Sequence, residues 1–427
     1  MRRPPPPGLL RRGVIVIGVA VLGVWSVPAG AGAAPALRYY TASGVRTTGG
    51  ANPVVGPELA PGLYHDTFAS AGASYEDGTA KYYRVRLRKG ETPYLSVTEA
   101  PRGRPAASDS ALRVALSLAP VDRSVSGCET TTSGTGDTTG DGLDSATAVL
   151  APGVVGGPGW NKCPTDAFYA LHVTRSGSAA SGTALEMEIA YRSEPAFSAP
   201  TAAPESGTSA KNVRASGSGP LRTVIGGTGF GDAPTLPDGR YRDSFTTGER
   251  RYYRVHLQWG QRLAWTLTVD QLPQIPDYQG TRGTVLLANP VRQAVDQPDD
   301  AENAGSDLGA STGALYGSTL VPTSWANRRS DDADVLPYAM DGDYYLIVST
   351  AYPDSTGRTS EVPYELDVQA VGTPTTGPSF VVDGTADPQT GVDHTPVVIA
   401  SVVGAVVIVG VVVWLLVLRR RQRPTQT

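Results

Sequence analysis

Apolar and polar residues alternate with a period of two through several short stretches of this 427-residue chain. Tyr83, Val85 and Leu87 alternate with Arg84, Arg86 and Arg88, and Tyr253, Val255 and Leu257 alternate with Arg254, His256 and Gln258. One face of each stretch is apolar and the other polar, the pattern of a half-buried strand. A glycine turn follows each, Lys89-Gly90-Glu91 or Trp259-Gly260-Gln261, and then a second apolar stretch, 94–97 or 263–269. Both therefore predict antiparallel hairpins. Tyr169, Leu171 and Val173 alternate again later, as do Tyr344, Leu346 and Val348, and strands over 185–189 and 364–368 close the two series.

The two series are copies of one unit. Leu59, Gly62, Tyr64, Asp66 and Phe68 return in the same spacing as Leu236, Gly239, Tyr241, Asp243 and Phe245, and Tyr83, Val85 and Gly90 return as Tyr253, Val255 and Gly260. The offset drifts only between 170 and 177 residues, as loops of varying length on a common scaffold allow. The expected fold is all-β, with two antiparallel β-sandwich domains over 34–191 and 221–370. The Ser/Ala/Gly/Pro-rich stretch 192–220 reads as a flexible linker. The central stretches 109–160 and 299–334 read as insertions, and 128–142, with almost no apolar residue, as an exposed loop.

Two longer apolar runs break this pattern. Arg2, Arg3, Arg11 and Arg12 precede an apolar run over 14–27 and small residues through Ala36, which reads as a secretory signal over 1–33, cleaved after Ala33. An uncleaved anchor is the other reading. Residues 397–418 carry no charge and are followed by Arg419, Arg420, Arg421 and Arg423. As a helix at about 1.5 Å per residue they cross a hydrocarbon core of about 30 Å, with the arginines on the cytoplasmic side. The expected layout is a single-pass protein of the cell membrane: an ectodomain outside, a stalk over 371–396, a transmembrane α-helix over 397–418 and a basic cytoplasmic tail over 419–427.

Charge and cysteine content agree with an exterior body. All 40 acidic residues lie between the two apolar runs, against 28 of the 36 basic ones, so the ectodomain has a net charge near −12. Such a surface repels phosphate backbones, which excludes nucleic acid as a partner. Cys128 and Cys163 are the only cysteines and both lie in the first copy. In an oxidising compartment they predict a disulfide that staples the central insertion.

The order Leu-x-x-Gly-x-Tyr-x-Asp-x-Phe, then Tyr-Tyr-x-Val-x-Leu-x-x-Gly, then a late Gly-x-Tyr-x-Leu-x-Val and a closing strand resembles the bacterial pre-peptidase C-terminal domain. Gly342 supplies the late glycine in the second copy, and Ala167 replaces it in the first. The resemblance implies jelly-roll-like sandwiches of the kind appended to secreted proteases and other hydrolases, where they aid substrate binding, folding or secretion. The whole layout is similar to that of membrane-anchored surface proteins of actinobacteria. No peptidase domain accompanies the repeats, and 34–58 is too short to hold one.

Chemistry is sparse. The four histidines, His65, His172, His256 and His394, do not recur between copies, and no His-Glu-x-x-His, Cys-x-x-Cys or Gly-x-Ser-x-Gly pattern occurs. No catalytic constellation, and hence no enzyme, is expected. Asp66 and Asp243 recur and have two readings: carboxylates that receive backbone N–H groups at a turn, or calcium ligands near the acidic clusters at 137–144, 299–302 and 331–334. No cofactor is otherwise expected. The pairs Tyr82-Tyr83 and Tyr252-Tyr253 predict one ring inward and one outward. Trp259 and Trp265 are the candidate ligand-facing aromatics for a sugar platform. The function expected is a non-enzymatic surface protein that binds an extracellular or cell-envelope protein. The alternatives are a cell-wall glycan-binding module and an accessory subunit of a secreted or membrane peptidase.

Overall fold

The computed structural model describes residues 37–387, except 70–79, 103–110, 123–125, 138–144, 152, 156, 158, 177–183, 199, 201, 208–210, 270–282, 299–312, 351–360 and 383–384. The signal, the transmembrane segment, the tail, His394 and most of the acidic clusters at 137–144 and 299–302 lie outside the described residues. Among the described residues no helix is long and apolar enough to cross a membrane.

The first module is built from β1 (Val45–Arg46), β2 (Glu58–Leu59), β3 (Gly62–Phe68), β4 (Ala80–Leu87), β5 (Thr92–Pro101), β6 (Ala111–Pro120), β7 (Thr130–Asp137), β8 (Ala146–Leu150), β9 (Ala167–Ser176) and β10 (Leu185–Glu194). They form two five-stranded sheets, ordered β1-β3-β10-β5-β8 and β2-β4-β9-β6-β7. The second module follows with β11 (Leu221–Thr223), β12 (Gly239–Thr246), β13 (Arg250–Leu257), β14 (Arg262–Val269), β15 (Gly283–Ala288), β16 (Ala294–Val295), β17 (Gly313–Ser318), β18 (Gly342–Thr350) and β19 (Glu361–Val371). Its sheets, β11-β12-β19-β14-β17 and β13-β18-β15-β16, repeat the order of the first. The alternating residues explain the layering: Tyr83, Val85, Leu87, Tyr169, Leu171 and Val173 meet Leu95, Val97, Leu185, Met187 and Ile189 in one core. Tyr253, Val255, Leu257, Tyr344, Leu346 and Val348 do the same against Leu263, Trp265, Leu267 and Leu366. Gly90 and Gly260 turn the two hairpins at φ 85° and 84°, where a side chain would be strained.

The central stretches are not insertions into this fold but part of it. Leu112, Val114, Leu116 and Leu118 of β6 are all buried, and β6 pairs with β9 along its length. The polar run read as an exposed loop forms β7, paired with β6 from Leu118↔Thr130 to Ala111↔Asp137. An edge strand needs no apolar face of its own, and its polar side chains protect the open edge. Gly134 lets β7 pass close to β8, since a Cβ there would lie 1.9 Å from the Thr147 carbonyl oxygen.

Cys128 and Cys163 form a disulfide, with Cα atoms 5.5 Å apart. It ties the approach to β7 to the turn before β9. In the second module Tyr338 takes over that tether: its hydroxyl accepts from Leu320 N (3.1 Å) and donates to the Asp296 carbonyl just past β16. A covalent tie in the first copy thus stands where the second has hydrogen bonds of a buried phenol.

The described part of 192–220 packs on the second module instead of spanning space. Phe197 meets Trp325 edge-on at 5.0 Å, Glu205 N donates to Asn327 Oδ1, and Thr266 Oγ1 donates to the Ala215 carbonyl. An N-terminal strap completes the junction between the modules. Arg38 N donates to Glu249, Ser43 N donates to Glu188, and Tyr40 is buried against Tyr252, ring centroids 5.9 Å apart. Glu188 of β10 meets Arg292 of the β15–β16 turn at 2.6 Å, both side chains buried. Burial raises the Glu188 carboxyl above the usual range although Arg292 opposes it.

A buried pair of this kind is costly to break, because the surviving charge stays desolvated. Arg292→Met is expected to destabilise the junction by about 3–5 kcal/mol and to split calorimetric unfolding into two separate transitions. A single transition at an unchanged temperature is the result against it.

Candidate functional site

The recurring polar residues are spent inside the fold. Asp66 lies on β3 in one sheet and Tyr83 on β4 in the other, and the Tyr83 hydroxyl donates to Asp66 Oδ2 across the core at 2.7 Å. The same oxygen accepts from Gly49 N (2.8 Å) and Lys81 Nζ (2.6 Å), and Oδ1 accepts from Thr67 N. Asp243 repeats the arrangement with Tyr253 (2.5 Å), Gly226 N (2.6 Å) and Ser244 N (2.7 Å). Burial works against ionising Asp66, but its four hydrogen bonds together outweigh that and hold the carboxyl below its ordinary range. Both aspartates receive backbone N–H groups, as the turn-binding reading expects. Gly49 and Gly226 are glycines because the tyrosine ring leaves no room for a Cβ, which would lie 2.9 Å and 2.8 Å from it.

The other repeated residues are likewise structural. Tyr64 and Tyr241 donate to the carbonyls of Ala60 and Pro237, four residues back, which shapes the approach to β3 and β12. Phe68 and Phe245 are buried. Trp265 is fully buried, with its indole N–H on Gln297 Oε1 at 3.1 Å, so it faces the core and not a ligand. That corrects its reading as a platform residue: it occupies an inward position of β14, between Leu263 and Leu267. Trp259 is half-buried beside Trp325, ring centroids 6.2 Å apart, and a Cβ on Gly377 would lie 2.5 Å from its indole nitrogen. The two tryptophans share no platform.

Of the tyrosine pairs, Tyr83 and Tyr253 point inward as expected, and Tyr82 stays partly open. Tyr252, its counterpart, is buried in the module junction. His65 Nδ1 is 2.9 Å from the Gly44 carbonyl, His172 stacks on Tyr82, and His256 Nδ1 is 3.0 Å from Asp343. Among the described residues no group of three His, Cys, Asp or Glu side chains is placed to hold a metal ion.

Two hollows remain. The larger, about 640 Å³, opens between the modules, where Thr130 to Ser133 of β7 and Thr147 and Val149 of β8 face Leu286, Arg250 and Gln293. Leu286 is 42% exposed there. Among the described residues β7 pairs on one side only, so its outer edge presents backbone N–H and C=O groups beside this groove. The second, about 430 Å³, lies on the outer face of β4, β9 and β6, next to Tyr82, His172 and Ser117.

One further buried group has no counterpart in the second copy. Glu99 of β5 points into the first core with no exposure, where Val269 stands in the second module. Burial pushes its carboxyl up to about 8, against the pull of Arg175.

Comparison with known proteins adds no family: no protein-family profile matches, and no curated protein matches. Solved structures that align include the ANX2 ectodomain of Arabidopsis thaliana, at 8% identity over 74% of this chain and 85% of that one, TM-score 0.19. A tandem CBM22 domain of Paenibacillus barcinonensis aligns at 12% identity over 73% and 91%, TM-score 0.17. Broad bean stain virus aligns at 12% identity over 73% and 90%, TM-score 0.20. At such scores none of them bears on function.

Tyr83→Phe and Tyr253→Phe each leave a buried carboxylate one donor short, an expected loss of about 1–3 kcal/mol per module in denaturant melts; no loss in either means the cross-sheet bond is dispensable. For Glu99 the sign runs the other way from a paired aspartate. Its folded pKa lies above the ordinary 4.5, so its contribution is full below pH 4.5 and is lost as pH rises to about 8. Glu99→Gln is expected to flatten that decline, matching the parent near pH 5 and exceeding its melting temperature at pH 8.5.

Proposed function

We propose that this chain is a non-enzymatic cell-surface protein that uses two pre-peptidase C-terminal-like sandwiches to bind another extracellular or cell-envelope protein. Export by residues 1–33 and anchoring by 397–418 belong to the same proposal. The observation that carries it is the fate of the repeated polar groups: Asp66, Tyr83, Asp243 and Tyr253 are consumed in holding sheets together. What differs between the copies is surface, and a hollow of about 640 Å³ on that surface adjoins a strand edge that is unpaired among the described residues. An extended segment of a partner protein adds to β7 through main-chain hydrogen bonds, with Val149 and Leu286 as apolar contacts. Edge addition of this kind gives affinity through backbone and selects sequence through the flanking side chains.

A photo-crosslinking residue at Thr130, which lines the groove, tests this in intact cells. The expected result is one discrete adduct in the membrane fraction whose attachment point maps to an extended segment of the partner. Ser133→Pro, which removes an N–H from β7, is expected to reduce that adduct at least about fivefold without unfolding the module, because an edge strand tolerates proline. An adduct that persists undiminished in the proline form, or none with the ectodomain intact, counts against the proposal.

A further inference from the structure

The outer faces of β4-β9-β6 and β13-β18-β15 correspond row by row. In the first module Tyr82, His172 and Ser117 are directly opposite one another across three strands, and Arg84, Ala170 and Ala119 form the next row. In the second the same rows read Tyr252, Ile347, Leu286 and Arg254, Tyr345, Ala288. Gly50 bridges to Tyr82 as Gly227 bridges to Tyr252, and three residues beyond each glycine stand Pro53 and Phe230.

The second module covers the Tyr252–Tyr345 part of its face from within, while Leu286 and Ile347 line the larger groove. Phe230 packs edge-on against Tyr252 at 5.1 Å and against Tyr345 at 4.8 Å, and the strap brings Tyr40 onto Tyr252. In the first module every member of that plug is smaller or more polar: Pro53 for Phe230, Ala170 for Tyr345, His172 for Ile347 and Ser117 for Leu286. The volume withdrawn is the hollow of about 430 Å³, and it continues past Ser117 and His172 into a second of about 410 Å³ along Thr131, Thr132, Ser133 and Thr174. The result is a trough across the sheet.

Its lining identifies the occupant. Tyr82 and His172 are stacked at 4.5 Å with ring planes 9° apart, so that each ring covers one face of the other and the pair is held in place by mutual contact. Around it stand the hydroxyls of Ser117, Ser126 and Thr131 and the carboxylate of Glu129. An aromatic peptide side chain would bury those groups without partners, which is costly. A sugar ring lays its C–H face on an aromatic plane and offers hydroxyls that both donate and accept around its rim. The cationic neighbour Arg84 is occupied, its Nε donating to the Gly56 carbonyl at 2.8 Å and its guanidinium over Phe168, so nothing selects an anion. We propose that this trough is a saccharide-binding site for a neutral oligosaccharide of two or more units.

The trough shares Thr131, Thr132 and Ser133 of β7 with the groove at Thr130, so the two proposals are told apart by residues that line only one of them, His172 and Ser117 in the trough and Leu286 in the groove. Calorimetric titration of the full detergent-solubilised chain with chitohexaose, cellohexaose and mannohexaose is expected to show saturable binding of at least one. Ser117→Leu and His172→Ile, which put the second module's apolar residues into the trough, are expected to weaken that binding at least about tenfold while the melting temperature is kept. Leu286→Ser, in the other groove, is expected to leave it unchanged. Binding that survives both filling substitutions overturns the proposal. So does an absence of binding by all three probes at millimolar concentration. Preferential binding of a peptide with the plug sequence, residues 228–233, would assign the trough to aromatic side chains instead and overturns it as well.

Discussion

One hydrogen bond per module holds two sheets in register: the tyrosine hydroxyl of one sheet on the aspartate of the other. Around it the chain itself changes sheets, because the segment from β1 to β2 crosses the sandwich edge and gives its glycine N–H to the same carboxylate. In the second copy Gly226 does so for Asp243. A charge buried in a sandwich is tolerable only when several donors converge on it. Here the donors come from both layers, so the carboxylate acts as a rivet between elements that share no ladder hydrogen bonds. The glycine, the aspartate and the tyrosine are therefore one unit, and none of them can be exchanged alone without exposing a cost in the other two.

With the interior held constant, the two copies diverge on their outer faces. The Tyr-Tyr pair supplies one ring to the core in each copy, while the second ring meets two different fates. Tyr252 becomes part of the module junction, under Phe230 and Tyr40, and Tyr82 remains beside an open trough. Duplication supplied two versions of the same sheet face. One was made apolar and partly covered by the chain itself, and the other kept small and hydroxylated positions. The buried Glu188–Arg292 pair and the strap then fix how the modules meet, so that the larger groove has a defined shape of its own.

Much of this was legible in the sequence because strand periodicity and duplication reinforce each other. The hairpins at Gly90 and Gly260 and the late strands at Tyr169 and Tyr344 follow from it, and the disulfide follows from the single pair of cysteines. The missed strands divide into two kinds. β6 carries a plain alternation in Leu112, Val114, Leu116 and Leu118, hidden only by being taken as an insertion; β7 carries none, because an edge strand borrows its order from its neighbour. The repeated Gly49-Gly50 and Gly226-Gly227 stand at the same 177-residue offset as the aspartates and were the available signal for the rivet. Trp265 misled because chemical type does not give direction: as an inward position of β14 it belongs to the core, whatever its affinity for sugars elsewhere. The trough was beyond reach, since it is made of what is missing from one copy relative to the other, across strands brought together only by folding.

The strap has a consequence for the order in which the molecule can assemble. Its partners lie far along the chain: Arg38 meets Glu249, 211 residues later, and Ser43 meets Glu188, 145 residues later. A chain made from its N terminus exposes the strap first and completes its binding site last. Contacts of such sequence separation form slowly, since loop closure must be met before they are rewarded. Until β13 and the β15–β16 turn exist, Tyr40 lacks its ring contact with Tyr252, and the face of the first module around Ala100 stays uncovered. The strap is thus a latch set at the end of folding, and its closure marks the moment at which two modules become one molecule.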